Sequence, residues 1–162
     1  MNKQQIYDFL NAKGIEYEKI EHKAVFNMAE MSEVALPHPE ADAKNLFVRD
    51  DKKRCYYLIT VKGDKRVDLN MFRQKYGTRR LSFASDSDLL AFLGLTPGSV
   101  TPFGLLNDTE CRVEFFIDED LLQPPGLIGL HPNDNTATIF LKTQDLLDII
   151  AAHGNKIHPV QI

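Results

Sequence analysis

Two short strand patterns joined by a charged loop place the strongest constraint on how this chain can fold. Lys44 to Val48 and Cys55 to Val61 are both typical of β-strands, and the loop RDDKKR between them is short enough for a hairpin. A hairpin pairs its two strands antiparallel, so we expect an antiparallel sheet at the centre of the fold. Five further strand patterns occur, at residues 15–20, 79–83, 112–117, 127–132 and 135–141.

Helical patterns are fewer than strand patterns. Amphipathic helices are predicted after four capping residues, namely Asn2, Asn27 (helix over 28–35), Ser85 and Thr143, and over residues 68–76. The Gly- and Pro-rich stretch after Gly94 predicts irregular structure, and the residues after Gly154 are predicted to form a tail. A chain of 162 residues fits one domain. We therefore predict a single α+β domain over residues 1–162, with helices around a curved, mainly antiparallel, barrel-like sheet.

Composition argues against several classes of protein. No apolar run approaches the ~20 residues that a membrane helix needs, and the N-terminus lacks the apolar core of a signal peptide. We therefore expect a cytoplasmic protein that does not associate with membranes. Cys55 and Cys111 are expected to be buried thiols, and no His or Cys spacing indicates a metal site or another cofactor.

The charge distribution limits contact with nucleic acids to a small area. The net charge is −4, which argues against a broad cationic surface of the kind that coats DNA. Ten lysines and arginines nevertheless fall between Lys52 and Arg80, and they form either a solvated face or a local RNA-binding track.

Lys44 is unusual because it opens a strand face that continues with Leu46 and Val48. A buried ammonium without a partner is costly, so Lys44 must reach water, a carboxylate or an anionic ligand. Two interpretations stay open from the sequence alone. Lys44 either extends out of the strand end into solvent or lies at the mouth of a pocket.

The loop from Gly98 to Pro102 is a second candidate. A stiff loop with glycine at its start and proline at its end leaves backbone N–H groups without sheet partners, and such groups can bind an anion. The alternative is a tight turn between a helix and a strand.

His131 is a third candidate because it lies where one strand pattern ends and the next begins. Polar side chains at strand ends often line pockets, although a single histidine can equally be structural.

In chain order, these features resemble a known family. The segments AKNLFVRDDKKRCYYLITVKGDKRVDL, RRLSFAS, LGLTPGSVTPFGLLND and LHPNDNTAT resemble the signature segments of the YbaK/ProX-type aminoacyl-tRNA deacylases. These proteins are free-standing relatives of the editing domain of bacterial prolyl-tRNA synthetases. The resemblance runs from about residue 20 to 150 and is strongest to the ProX branch, which removes alanine from mischarged tRNA(Pro).

The resemblance implies roles for particular residues. It assigns the catalytic positions to Lys44, Asn45, Gly98 and His131. The substrate-binding positions that it implies, together with our guesses at the pocket wall, are Ser99, Val100, Thr101, Pro102, Arg80, Val25, Phe26 and Leu46. Asp118 aligns loosely with an acidic position of the synthetase domain, and Asn27 stands where relatives usually carry threonine.

The implied activity is hydrolysis of Ala-tRNA(Pro), with the acceptor end of tRNA(Pro) as partner. A prolyl-tRNA synthetase or an elongation factor is a candidate second partner. The loop amides would stabilise the oxyanion, and the absence of a clear general base suggests that the ribose 2′-hydroxyl assists the water. The alternatives are a deacylase for another small aminoacyl-tRNA, such as Cys- or Ser-tRNA, and a non-catalytic module that binds tRNA ends or a synthetase.

Overall fold

The computed structural model describes residues 1–31, 36–63 and 65–162. Its α-helices in these ranges are α1 (Lys3–Ala12), α2 (Met28–Met31), α3 (Leu69–Tyr76), α4 (Asp86–Leu93) and α5 (Thr143–His153). Its strands there are β1 (Tyr17–Glu21), β2 (Ala43–Asp50), β3 (Tyr56–Lys62), β4 (Leu81–Phe83), β5 (Val113–Asp118), β6 (Leu127–Leu130), β7 (Ala137–Lys142) and β8 (Ile157–Val160). The same ranges contain three short 3₁₀ helices, Pro39–Ala41, Pro102–Asn107 and Glu119–Leu122. No helix within the described ranges has the length and apolar character needed to cross a membrane.

The strands form two separate sheets. The smaller sheet has the order β1-β7-β6, and the larger has the order β4-β2-β3-β5-β8. Pairing is antiparallel except between β3 and β5 and between β5 and β8. The α+β class and the mainly antiparallel pairing are therefore confirmed. The barrel-like shape is a correction, because β4 and β8 end the larger sheet without pairing to close it.

The predicted hairpin forms the middle of the larger sheet. Lys44 lies opposite Val61 and Arg49 lies opposite Tyr56. In the connecting turn, the buried Asp50 accepts a hydrogen bond from the Arg54 amide at 2.8 Å, which fixes the chain reversal. β2 is longer than its sequence pattern indicates, whereas β3 has the expected length and is shifted by one residue towards the C-terminus.

Both faces of the larger sheet are buried. Phe47, Leu58 and Phe115 pack into the main core, together with side chains from α1, α4, α5 and the smaller sheet. The alternate residues Val48 and Ile59 pack into a second cluster with α3. This accounts for the nearly continuous apolar sequence of β3, since a strand covered on both sides has no solvent face.

Three of the predicted helix caps are found, and one is wrong. The side chains of Asn2, Asn27 and Ser85 accept hydrogen bonds from the backbone amides three residues later. Thr143 is instead the first residue of α5, and its hydroxyl donates to the Leu121 carbonyl at 2.7 Å. Of the helix predicted over residues 28–35, Met28–Met31 is helical and residues 32–35 lie outside the described residues.

Two further expectations are corrected after α4. The stretch expected to be irregular contains the 3₁₀ helix Pro102–Asn107. The predicted tail contains β8, which pairs parallel to β5 with Ile157 opposite Phe115. A four-residue segment that contains a proline is too short to show the alternation by which a strand is recognised in a sequence. The strand nevertheless forms because the edge of β5 is available for pairing.

Asp118, the loosely aligned acidic position, ends β5 and is fully buried. Its carboxylate accepts hydrogen bonds from the amides of Lys62 and Asp120, both at 3.1 Å, and lies 2.8 Å from the Lys65 ammonium. These contacts join the end of β3 to the end of β5. The structure therefore gives Asp118 a structural role.

We predict that Asp118→Ala lowers the free energy of unfolding by about 2–4 kcal/mol, because the substitution leaves the amides of Lys62 and Asp120 without their acceptor and removes the buried partner of the Lys65 ammonium. Urea denaturation measures this change. Asp120→Ala is the matched control, since Asp120 contacts the same Lys65 ammonium at 2.6 Å from an exposed position. Equal losses in the two variants would contradict the prediction.

Candidate active site

A cavity of about 220 Å³ opens where β2 begins and β6 ends. Its walls come from four parts of the chain that are distant in sequence. They are residues 25–27, the start of β2, the loop at residues 98–100, and the adjoining ends of β6 and β7. The lining residues are Val25, Phe26, Asn27, Asp42, Ala43, Lys44, Asn45, Gly98, Val100, Gly129, Leu130, His131 and Thr138.

The cavity brings together most of the residues singled out from the sequence. Those that line it are Lys44, Asn45, Gly98, His131, Val100, Val25 and Phe26. Five others do not line it. Leu46 packs against the second cluster, Ser99, Thr101 and Pro102 are buried behind the loop surface, and Arg80 is exposed.

Lys44 and Asn45 both reach the cavity although they lie on opposite faces of β2. Leu46 and Val48, which share the face of Lys44, pack into the second cluster, whereas Phe47 shares the face of Asn45 and packs into the main core. Both side chains can line one cavity because it lies at the beginning of the strand rather than on a face of the sheet.

The ammonium of Lys44 has no hydrogen-bond or ion-pair partner among the described residues. Its side chain is partly exposed, so the charge is solvated in the free protein. Of the two interpretations left open by the sequence, the structure places Lys44 at a pocket. An unpaired cation at the mouth of a cavity can bind an anionic ligand without first breaking an internal salt bridge.

Asn45 connects the loop to the hairpin. Its Nδ2 donates to the Val100 carbonyl at 3.3 Å, and its Oδ1 accepts from the hydroxyl of the buried Thr60 at 2.6 Å. Both ends of the amide are thus used within the protein. This arrangement makes Asn45 a positioning residue for the loop.

The loop presents backbone amides beside Lys44. The Ser99 amide donates to the Thr96 carbonyl at 3.1 Å, which closes a turn. The amides of Gly98, Val100 and Thr101 have no acceptor among residues 1–31, 36–63 and 65–162. Free N–H groups in a loop of this kind can bind an oxyanion.

Gly98 is required by both conformation and space. Its φ of +90° lies in the region that favours glycine, and a Cβ there would lie 2.9 Å from Cδ1 of Phe26. Phe26 itself is 64% exposed, so its ring forms part of the rim of the cavity. Any larger residue at position 98 must therefore displace either the loop or this ring.

His131 faces the cavity as a neutral ring. Its Nδ1 lies 2.8 Å from the Ala137 carbonyl, which can only accept, so Nδ1 carries the proton and Nε2 has a free lone pair. Burial lowers the pKa of His131, which keeps the ring uncharged at neutral pH and makes it a weak base. The histidine can accept a hydrogen bond from a ligand, and whether it is catalytic stays a prediction.

The sequence reasoning missed several lining residues, of which Thr138 is the most informative. It is buried, and its hydroxyl lies 2.9 Å from Nε2 of His22. Thr138 belongs to the segment LHPNDNTAT that carries the resemblance, and it has the same strand parity as Thr136 and Phe140. The alternation of residues in β7 could therefore have predicted that Thr138 lies on the same side of the strand as Thr136 and Phe140.

Arg80 lies far from the cavity. The next residue, Leu81, pairs with Asp50, six residues along β2 from Lys44, which corresponds to about 20 Å at ~3.3 Å per residue. Its neighbour Arg79 is paired with Asp51 at 2.6 Å. Any contact of Arg80 with a substrate must therefore involve a part of that substrate outside the cavity.

A comparison with protein-family models matches residues 22–149 to the aminoacyl-tRNA editing domain. The chain belongs to the aminoacyl-tRNA editing domain family. This confirms the resemblance stated from the sequence, and it confirms an enzyme of the aminoacyl-tRNA deacylase class.

Similar proteins cover almost the whole editing domain. The prolyl-tRNA editing protein ProX of Acetoanaerobium sticklandii is 38% identical over 160 residues, which is 99% of this chain and 97% of that protein. The prolyl-tRNA synthetase associated domain-containing protein 1 of Mus musculus is 34% identical over 153 residues, 90% of this chain and 88% of that protein. A crystal structure described as a candidate trans-editing enzyme for prolyl-tRNA synthetase has a TM-score of 0.72 at 21% identity, and it covers 99% of this chain and 96% of its own. The last likeness supports the fold.

We predict that Gly98→Ala impairs deacylation at least tenfold, because the new Cβ displaces either the loop amides or Phe26. The positive φ adds a loss of about 1 kcal/mol in stability. Gly14→Ala is the matched control, since Gly14 has a φ of +67° but no atom within 4 Å of its Cβ position. Deacylation rates and thermal unfolding of both variants check this. Unchanged activity in Gly98→Ala would show that the loop geometry is not needed.

Proposed function

We propose that this editing domain acts in trans on mischarged tRNA(Pro) and hydrolyses alanine from Ala-tRNA(Pro). The observation that carries the proposal is the position of Lys44 and the loop in one small cavity, where, within the described part of the chain, neither the Lys44 ammonium nor the amides of Gly98, Val100 and Thr101 have a partner. The relative named prolyl-tRNA editing protein ProX, similar over nearly the whole chain, supports tRNA(Pro) as the substrate class.

The proposed placement of the substrate follows from charge. The ammonium of Lys44 binds the phosphate or the ribose of the terminal adenosine and holds the ester over residues 98–102. Among these residues, the free amides donate to the carbonyl oxygen as it becomes an oxyanion. Donors fixed by Asn45 need no rearrangement as charge develops, which is the condition for effective electrostatic stabilisation.

The attacking water needs an activating group, and neither His131 nor Lys44 is a strong base. The lowered pKa of His131 weakens it as a proton acceptor, and the Lys44 ammonium cannot accept a proton while charged. We propose that the free 2′-hydroxyl of the terminal ribose orients or deprotonates the water.

Selection by size supports alanine as the amino acid. We propose that the cavity of about 220 Å³ accommodates the aminoacyl group and part of the ribose, with little room beyond a methyl side chain. We propose that Val25 and Val100 exclude larger groups and that the proline ring collides with this wall. Such steric exclusion is the second sieve of editing.

The proposed setting of this activity is the cytoplasm, with residues 1–162 as one unit. The acceptor end of tRNA(Pro) is the proposed partner. A prolyl-tRNA synthetase or an elongation factor could deliver it, since the net charge of −4 leaves only local basic segments for RNA.

We predict that the protein releases alanine from Ala-tRNA(Pro) at least tenfold faster than it releases proline, cysteine or serine from the corresponding tRNA(Pro). Lys44→Ala should abolish the release without loss of stability, because no described residue pairs with Lys44. Labelled aminoacyl-tRNAs in a deacylation assay measure both effects. Lys156→Ala is the control, since that exposed lysine precedes β8 at the opposite end of the sheet.

The other outcomes separate the alternatives. Faster release of cysteine or serine would assign the enzyme to another small aminoacyl-tRNA. No release from any of the four substrates would favour a module that only binds tRNA ends or a synthetase.

We also predict that a tRNA(Pro) ending in 2′-deoxyadenosine, charged with alanine at the 3′-oxygen, is hydrolysed at least a hundredfold more slowly. The reason is that the substitution removes the group proposed to activate water. Single-turnover kinetics measure the effect, with binding of the deoxy substrate as the control for affinity. An equal rate for both substrates would eliminate assistance by the 2′-hydroxyl.

A further inference from the structure

Three polar side chains form a row across one face of the smaller sheet. Continuing the β6–β7 register from Leu130 and Ile139 places His131 directly opposite Thr138. The His22 amide donates to the Thr136 carbonyl at 2.9 Å, so His22 extends β1 and is a diagonal neighbour of Thr138. We call His22, Thr138 and His131 the polar row.

The polar row lies on the face turned away from the main core. In β7, Ile139 packs into the main core. Adjacent residues of a strand point to opposite faces, so Thr138 points away from the main core. Thr138 and His131 line the cavity, and the rings of His22 and His131 are 6.1 Å apart. Thr138 and His131 therefore form one wall of the proposed site, and His22 lies next to that wall.

The hydrogen bonds of the row fix the direction of the Thr138 hydroxyl. Nδ1 of His22 lies 2.8 Å from the Lys23 carbonyl, so this nitrogen carries a proton. In the neutral ring, Nε2 of His22 is then an acceptor, and it lies 2.9 Å from the Thr138 oxygen. The Thr138 hydroxyl consequently donates to His22, and only its lone pairs remain for a ligand.

His131 presents the same kind of group beside it. Its Nδ1 donates to the Ala137 carbonyl, which leaves Nε2 as an acceptor. This wall thus offers two neighbouring acceptors. The wall formed by Lys44 and the loop offers an ammonium and backbone amides as donors, with the carboxylate of Asp42 beside them. A ligand that matches both walls carries hydrogen-bond donors at one end and a carbonyl or phosphate at the other.

We propose that Thr138 and His131 bind the α-ammonium group of the aminoacyl ester and that His22 is a positioning residue for the Thr138 hydroxyl. This inference rests on the proposed function and specifies which part of the substrate each wall recognises. An α-ammonium has three donors and no acceptor, so it fits a wall of acceptors. It also lies one carbon from the ester carbonyl, so its position fixes the carbonyl over the loop.

The test compares two esters of the same tRNA(Pro), one alanyl and one propionyl, which differ only in the α-ammonium. The ratio of their kcat/KM values is measured for the wild-type protein and for Thr138→Val, which keeps the shape and removes the acceptor. The two esters differ in intrinsic reactivity, but that difference is the same for both proteins and cancels. We expect Thr138→Val to reduce the ratio about tenfold or more, as for a lost hydrogen bond to a charged group.

Two further variants separate recognition from folding. Thr138→Ser retains the hydroxyl and should keep most of the wild-type ratio. His22→Phe keeps an aromatic ring but removes the acceptor for Thr138, and it should lower the ratio by a smaller factor. Thermal unfolding of each variant verifies that the ratio is measured on folded protein.

The outcomes distinguish the two proposals. If the wild-type protein hydrolyses the alanyl ester and Thr138→Val keeps the wild-type ratio, the polar row does not bind the ammonium, although the proposed function stands. If the wild-type protein hydrolyses neither ester, the proposed function itself fails.

Discussion

Burial of both faces of the larger sheet determines where a ligand can bind. The main core covers one face, and α3 with the second cluster covers the other, so neither face is open along its length. A ligand can therefore contact the backbone and side chains of this sheet at the ends of its strands. The cavity accordingly lies at the beginning of β2, next to the end of β6, and draws its walls from both sheets.

The two walls of the cavity differ in their hydrogen-bonding character. Lys44 and the amides of the loop are donors, with the Asp42 carboxylate beside them, whereas the groups that Thr138 and His131 leave free are acceptors. An aminoacyl ester has the complementary arrangement, with an ammonium and an ester carbonyl separated by one carbon. Specificity in such a site arises from the spacing of the walls as well as from its volume.

Local signals in the sequence predicted the hairpin, the caps at Asn2, Asn27 and Ser85, and the three segments that meet in the cavity. The division into two sheets, strand β8 and the position of Thr143 depend on contacts between distant segments, which local patterns do not contain. The same reason explains Leu46, which shares the strand face of Lys44 but packs away from the cavity, and Thr138, which reaches the cavity through the pairing of β6 with β7. The types of residue indicated which segments contribute to the candidate site. The pairing of distant strands determines which side chains of those segments line the cavity.

Thr60 lies inside the hairpin, fully buried and outside the cavity lining, yet its hydroxyl holds Asn45, which in turn holds the Val100 carbonyl. The loop at residues 98–102 is therefore anchored to the interior of the protein by two side chains, Thr60 and Asn45. A substitution of Thr60 would remove the hydrogen bond that holds Asn45 and, through it, the contact with the Val100 carbonyl. A survey of variants that scores only surface-accessible positions would overlook it.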